Sequence, residues 1–422
     1  MQQRYVRAVM RLAIAVMPLT WGCGSSASDT LTLAVPGRAN ANVSLAAAGE
    51  WVAAVWSAAE QGGPTDIYLS ISDDGGKSFS TPVRVNDVPG DARVNGEQPP
   101  RVALVPRAQG LPEVVVIWTA KGPEGTALRT SRSSDGGKSF ARAAIVPGTD
   151  GPGNRGWEAI VVDGAGTVHA VWLDHRRLSE RNATAESTHR HAHSTSDGAP
   201  MSDFSDLYFA TLDGAPPSPL TAGVCYCCKT AIAAAASGEV YLAWRHVYPG
   251  NLRDIAFAVT TPRRPSPLEP VRVSEDRWML EGCPDDGPAM AVDARGTVHI
   301  VWPTVVTDGD ATRKVLFLAS STDGRSFAPR TPLPSDGQAH HPQVAAAHDG
   351  TLVIAWDEVR EGQRRVVTAR GRLSDDGRVL VARDARVVDG GVYPAIAVTT
   401  SAALVAWTAS SNIHVQRIAL VR

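Results

Sequence analysis

The string Gly166-Thr167-Val168-His169-Ala170-Val171-Trp172 recurs along the chain, and this recurrence limits the fold more than any other feature. Gly296-Thr297-Val298-His299-Ile300-Val301-Trp302 nearly repeats it, and Gly350 to Trp356 and Gly238 to Trp244 keep its pattern. Looser copies end at Trp56, Trp118 and Trp407, so seven tryptophans stand 51 to 72 residues apart. A period of this size means one supersecondary unit per repeat, stacked as a solenoid or arranged as a propeller.

Each unit reads as four short strands. A small apolar segment such as Ala159-Ile160-Val161-Val162 precedes the turn into the string, and an alternating segment such as Asp66-Ile67-Tyr68-Leu69 follows it. A shorter strand such as Pro82-Val83-Arg84-Val85 completes the unit, with Gly, Asp or Pro between strands. The pattern predicts an all-β chain, a β-propeller of four-stranded blades with seven blades, or six as the alternative count. The seventh unit offers only three strands, and Leu31-Thr32-Leu33-Ala34-Val35 is available to supply the fourth. Pairing the two ends would close the ring and leave no open sheet edge. The 38 Gly and 29 Pro suit so many turns, and 422 residues are enough for one large propeller domain over 30–422. A net charge of −2 gives no reason to expect nucleic acid as a partner.

The first residues read as an address. Arg4, Arg7 and Arg11 precede an apolar run from Leu12 to Leu19, too short for a lasting bilayer span. The run ends at Leu19-Thr20-Trp21-Gly22-Cys23, which resembles a bacterial lipoprotein signal. That resemblance implies a signal peptide over 1–22, lipidation of Cys23, a tether over 23–29 and an exported protein held at a membrane. Plain secretory cleavage is the alternative.

Ser72-Asp73-Asp74-Gly75-Gly76-Lys77-Ser78-Phe79 and Ser133-Ser134-Asp135-Gly136-Gly137-Lys138-Ser139-Phe140 share the pattern S-x-D-x-G-x-S-F. Ser321 to Phe327 is one residue short of it, and Ser374-Asp375-Asp376-Gly377 is a degenerate copy. The pattern resembles the Asp box of bacterial neuraminidase repeats, found in sialidases and their relatives. In the strand scheme each box falls between third and fourth strands, where Asp and Ser would bond turn amides and Phe would pack inward. It marks the fold and is not read as an active site.

Antiparallel strands sort the loops onto two faces. The boxes and the turns inside the repeat string share one face. The longer loops that enter each blade and leave each repeat Trp share the other, and binding groups are expected there. That face offers Arg38, Arg101, Arg155, Trp157, Glu158, Asp174, Arg245, His246, Arg253, Asp285 and Tyr393, with Glu97, His340 and His341 nearby. The exit loop after Trp172 runs on through His189, His191, His193 and Met201, and alternate histidines resemble a metal-binding tract.

Four cysteines fall on two neighbouring entry loops, in Cys225-Tyr226-Cys227-Cys228 and at Cys283. In an exported chain they can form two disulfides, for which Cys225–Cys228 with Cys227–Cys283 is within reach. A thiolate site for copper or zinc, joined by His189, His191, His193 or Met201, is the alternative.

The sialidase resemblance implies three arginines around a substrate carboxylate, a Tyr nucleophile assisted by Glu, and an Asp acid. Arg38, Arg101, Arg155, Arg245 and Arg253 can be weighed for the first role, Tyr393 or Tyr248 for the second, and Asp174 or Asp285 for the third. The Arg-Ile-Pro motif of such enzymes is absent, with Pro36-Gly37-Arg38-Ala39 in its place. Sialidases have six blades, and cysteine-rich loops are foreign to their mechanism. The reading is therefore a sialidase-like propeller that binds a glycan, a small anionic ligand or a metal on its loop-rich rim. A glycoside hydrolase and an interaction scaffold are the alternatives.

Overall fold

The computed structural model describes residues 30–180, 201–212, 214, 216–261, 269–308 and 311–420. They form seven separate four-stranded antiparallel sheets, and the chain is a seven-bladed propeller. The inner strands are Ala39–Ala48, Arg101–Val105, Arg155–Val162, Ala231–Ala234, Ala289–Val292, Gln338–Ala346 and Val392–Val398. Consecutive inner strands touch, and the first meets the last, so they ring a central channel.

Closure follows the expected route. Thr30–Leu33 is the outer strand of the seventh blade and pairs antiparallel with Asn412–Ala419, Thr30 opposite Gln416. This register ties the two ends of the described chain into one sheet and removes the edge that would otherwise open the ring.

The repeat tryptophans lie on the second strands, and all seven are buried, Trp407 being the least so at 2% exposed. Each is wedged between neighbouring blades; Trp118, for example, packs with Val55 and Leu69 of the first blade. Such a ring needs its one polar atom bonded, and most find a partner. The indole of Trp56 donates to Asn40 at 2.9 Å, that of Trp244 to His246 at 3.3 Å and that of Trp356 to Glu358 at 3.1 Å.

The repeat string also explains its own histidine. Asp163 accepts the amides of Ala165 and Thr167 to close the turn, and His169 Nε2 meets the same carboxylate at 2.8 Å. His299 and Asp293 form the same pair at 3.5 Å. These two histidines are structural.

Between third and fourth strands, Asp74 accepts the Lys77 and Ser78 amides at 2.9 and 3.0 Å and the Ser78 hydroxyl at 2.6 Å. Asp135 repeats this set with Lys138 and Ser139. Gly76 has φ +81°, and a Cβ there would lie 2.1 Å from Leu404 of the seventh blade, so the turn presses on its neighbour and only glycine fits.

Candidate functional site

The inner strands begin irregularly, and that irregularity builds the site. Asn42, Trp157, His341 and Tyr393 have φ between 50° and 60°, a conformation that non-glycine residues seldom adopt. All four stand two residues before the position paired with the residue preceding the repeat Trp: Ser44↔Val55, Ala159↔Val171, Gln343↔Ala355 and Ala395↔Ala406. A bulge interrupts the pairing at each of these places. Bulges re-aim side chains, and strained residues gather where a fold positions functional groups. Asp285, in the fifth entry loop, is also left-handed at φ 47°.

Below these residues the channel holds a cavity of about 230 Å³. Asn42, Arg101, Lys229, His341 and Tyr393 line its entry-loop end, and side chains such as Leu45, Ile160, Met290 and Val344 line it further along. Five blades therefore send a polar group into one space.

Glu97 is 1% exposed and reaches across the ring from the second blade. Its Oε2 accepts the amides of Gly287 at 2.9 Å and Lys229 at 3.3 Å, and Oε1 lies 3.5 Å from the Lys229 ammonium. Lys229 donates in turn to the carbonyl of Pro342 at 3.3 Å. Gly96 presses against Tyr393 so closely that a Cβ would sit 2.1 Å from the ring. One loop thus touches the fourth, fifth and seventh blades.

His341 Nδ1 bonds Asp357 at 2.7 Å, its amide donates to Asp286 at 3.0 Å, and its ring lies 4.1 Å from that of Tyr393. Burial alone would lower its pKa, but the charge of Asp286 and the bond to Asp357 outweigh it and raise the value above 6.5. Burial, with the nearby charges of Glu97, Asp357 and Asp285, pushes Tyr393 up to about 12. It is a neutral donor at physiological pH. Burial likewise raises the Asp285 carboxyl, helped by Glu97 and Asp286.

Arg101 donates through Nε to the carbonyl of Glu158 at 2.9 Å, and no partner meets its two terminal nitrogens among the described residues. Burial raises the Glu158 carboxyl, whose Oε2 accepts the Thr119 hydroxyl at 2.9 Å. Arg101 is the one candidate arginine that faces the cavity.

The other arginines proposed from sequence are spent on structure. Arg38 pairs with Asp66 at 2.8 Å and Glu60 at 2.7 Å. Arg155 holds Asp174 at 3.3 Å and the carbonyls of Gly151 and Gly153. Arg245, 1% exposed, donates to the carbonyls of Arg253, Asp286 and Pro303 and stacks on Trp278. Asp174 is fully buried between Arg155 and Arg176. The three-arginine clamp is not assembled, and no described carboxylate accepts the hydroxyl of Tyr393. Burial also pushes Tyr248 up to about 12, and Arg272 lies over its ring. His246 is held neutral by burial, at about 4, and accepts the Trp244 indole.

Cys227 and Cys283 form a disulfide that joins the fourth and fifth entry loops. Cys225 and Cys228 remain thiols, with their sulfurs 3.5 Å apart. Trp157 packs on this cluster, with its ring 5.3 Å from that of His175. Arg253 Nη1 lies 3.1 Å from the Cys225 sulfur. Among the described residues this cluster offers two free thiols beside a guanidinium, fewer than the four ligands of a structural zinc site. Asp286, His340 and His341 also lie close together, but the Lys314 ammonium sits 3.1 Å from Asp286 and 3.0 Å from His340, where a cation would bind. His189, His191, His193, the Met201 side chain and Cys23 lie outside the described residues.

The sequence places Glu97 and His341 on this face without a role, and it does not single out Lys229 or Asp286. The available signal is positional: His341-Pro342 and Tyr393-Pro394 share one offset, with His341 and Tyr393 two residues ahead of Gln343 and Ala395, the partners of the residues before the repeat tryptophans.

No protein-family model matches the chain, and no curated protein matches it. Solved structures do. An ulvan lyase described as a new polysaccharide lyase family aligns at 10% identity and a TM-score of 0.55, covering 91% of this chain and 94% of that one. The polysaccharide lyase Uly1 aligns at 11% identity and a TM-score of 0.52, covering 90% of each. The intramolecular trans-sialidase from Ruminococcus gnavus aligns at 9% identity and a TM-score of 0.42, covering 90% and 94%, too loosely to carry an argument. The chain shares the propeller fold of the two lyases.

Proposed function

We propose that the chain binds an acidic saccharide at the entry-loop end of its channel, with the sugar carboxylate or sulfate on Arg101. The carrying observation is the guanidinium of Arg101, which lines the cavity and is anchored through Nε, with no partner for its terminal nitrogens among the described residues. An arginine so held presents two parallel donors, the geometry that matches a carboxylate or sulfate. Lys229 and His341 stand at the same end, and Asn42 and neutral Tyr393 can serve sugar hydroxyls. At about 230 Å³ the cavity is on the small side for a ligand site, so it accommodates one sugar unit and not a long chain. An ulvan lyase of the same fold was solved bound to -[GlcA(1-4)Rha3S]-, a ligand with both anionic groups.

Binding is favoured over sialidase-type hydrolysis, because among the described residues no carboxylate accepts the Tyr393 hydroxyl and no second candidate arginine lines the cavity beside Arg101. The exported, lipid-anchored location is part of the same proposal, supported by Arg4, Arg7 and Arg11 before the apolar run and by Cys23. A panel of acidic and neutral oligosaccharides tests the ligand class. Binding confined to uronate- or sulfate-bearing sugars supports the proposal, and equal binding of neutral sugars, or none of either, overturns it.

A further inference from the structure

The cysteine cluster holds three sulfurs within 4.8 Å of one another, and its chemistry is unused by the saccharide site. Cys225 lies 3.5 Å from Cys228 and 3.8 Å from Cys227, which is itself bonded to Cys283. Cys225 is wholly buried, whereas Cys283 is exposed. We infer that Cys225 is the attacking group of an internal thiol–disulfide exchange that moves the covalent tether off Cys283.

In the first step the Cys225 thiolate attacks the Cys227 sulfur. The 225–227 bond forms, the 227–283 bond breaks, and Cys283 leaves as a thiolate that takes a proton from solvent. In the second step Cys228 loses its proton and attacks the Cys225 sulfur. The 225–228 bond forms, and Cys227 leaves and is protonated. One disulfide stands at the start and one at the end, so no outside oxidant or reductant is consumed.

The surroundings favour the first of these attacks. Arg253 Nη1 donates to Cys225 at 3.1 Å and stabilises its thiolate. The hydrogen bond from Cys228, against burial, and the charges of Arg253 and Arg245 lower Cys225 to about 6, while burial raises Cys228. An attacking thiol works best near ambient pH, and a leaving thiolate is best stabilised where water reaches it. Cys283 meets the second condition.

The exchange has a consequence for the channel, which rests on the saccharide reading. The 227–283 bond fixes the loop carrying Asp285 and Asp286 to the loop carrying Lys229. Moving the bond within Cys225 to Cys228 frees that loop beside the Gly287 amide that holds Glu97.

The test uses the purified full chain without reductant, trapped with N-ethylmaleimide under denaturing conditions and mapped by peptide mass spectrometry. Exchange predicts two populations in the wild type. One has linked 227 and 283 peptides with Cys225 and Cys228 alkylated. The other has Cys227 and Cys283 alkylated and an internal 225–228 bond. Cys225→Ala should leave only the first linkage, and Cys228→Ser should give a 225–227 bond with Cys283 alkylated. A wild type with Cys283 never alkylated after prolonged incubation overturns the inference, as does one with both disulfides formed and no free thiol. The mapping is independent of any saccharide. If exchange occurs but the two populations bind acidic sugar equally, the link to the channel is overturned and the exchange stands.

Discussion

Glu97 of the second blade accepts the backbone amide of Gly287 of the fifth blade at 2.9 Å. These residues are 190 positions apart, and the bond crosses the ring. The same carboxylate takes the Lys229 amide and faces its ammonium, so one buried side chain links three blades. A buried carboxylate so placed holds partners that would be orphaned without it.

Glu97→Ala strands two buried amides and an ammonium. It should cost about 3 kcal/mol of stability, read as a lower urea midpoint with unchanged slope. Glu97→Gln keeps one acceptor oxygen and should cost less than half as much. Equal losses in the two variants would show that the charge, and not the bonding geometry, matters.

Gly96→Ala should disturb the channel end more than Tyr393→Phe. A Cβ at position 96 meets the Tyr393 ring at 2.1 Å, so loop or ring must move. Tyr393→Phe keeps the ring and removes only a hydroxyl that has no described partner. We expect Tyr393→Phe to melt within about 1 °C of wild type while binding acidic sugar severalfold more weakly. Gly96→Ala should lose both stability and binding. Thermal melts and titration calorimetry on both variants check this.

His341 should make stability fall on the alkaline side. Its folded pKa is raised above 6.5 by Asp286 and Asp357, against burial. The contribution is therefore fully present below about pH 6.5 and is lost as pH rises through the folded value. Urea midpoints between pH 6 and 9 should decline in the wild type and less steeply in His341→Gln. A parallel decline in both would assign the effect elsewhere.

The turns between third and fourth strands should weaken in acid. Burial would raise Asp74, but the Ser78, Ser72 and Lys77 bonds win and hold it at about 2. Such a carboxylate contributes stability above its unfolded value near 4 that disappears as pH falls through about 2. Exposure keeps the contribution to about 1 kcal/mol or less. Asp74→Ala should shift the thermal midpoint at pH 7 and have little further effect at pH 2, which melting curves at both pH values test.

Much of the fold was legible because it repeats. Each Trp must fill the space between two blades, and each string must turn on a bonded Asp, so the same residues recur wherever the same problem does. The closing pair of Thr30–Leu33 and Asn412–Ala419 was legible for a related reason: the seventh unit lacked a strand and the chain's start offered one. The site was less legible. Arg38, Arg101, Arg155 and Arg245 all stand at or next to a strand end on the same face, yet of these only Arg101 lines the cavity. A single-residue bulge reverses which way a side chain points, and no spacing rule announces it. Lys229 and Glu97 were hidden differently, since their partners lie more than 100 residues away.

The most direct measurement is a calorimetric titration of a sulfated glucuronate–rhamnose disaccharide into wild type, Arg101→Ala and Arg38→Ala. The account predicts saturable binding to wild type and at least a tenfold loss in Arg101→Ala, about 1.4 kcal/mol or more. Folded Arg38→Ala should bind as wild type does, because Arg38 is committed to Asp66 and Glu60. Equal affinity in wild type and Arg101→Ala, or a loss confined to Arg38→Ala, would contradict a saccharide site built on Arg101.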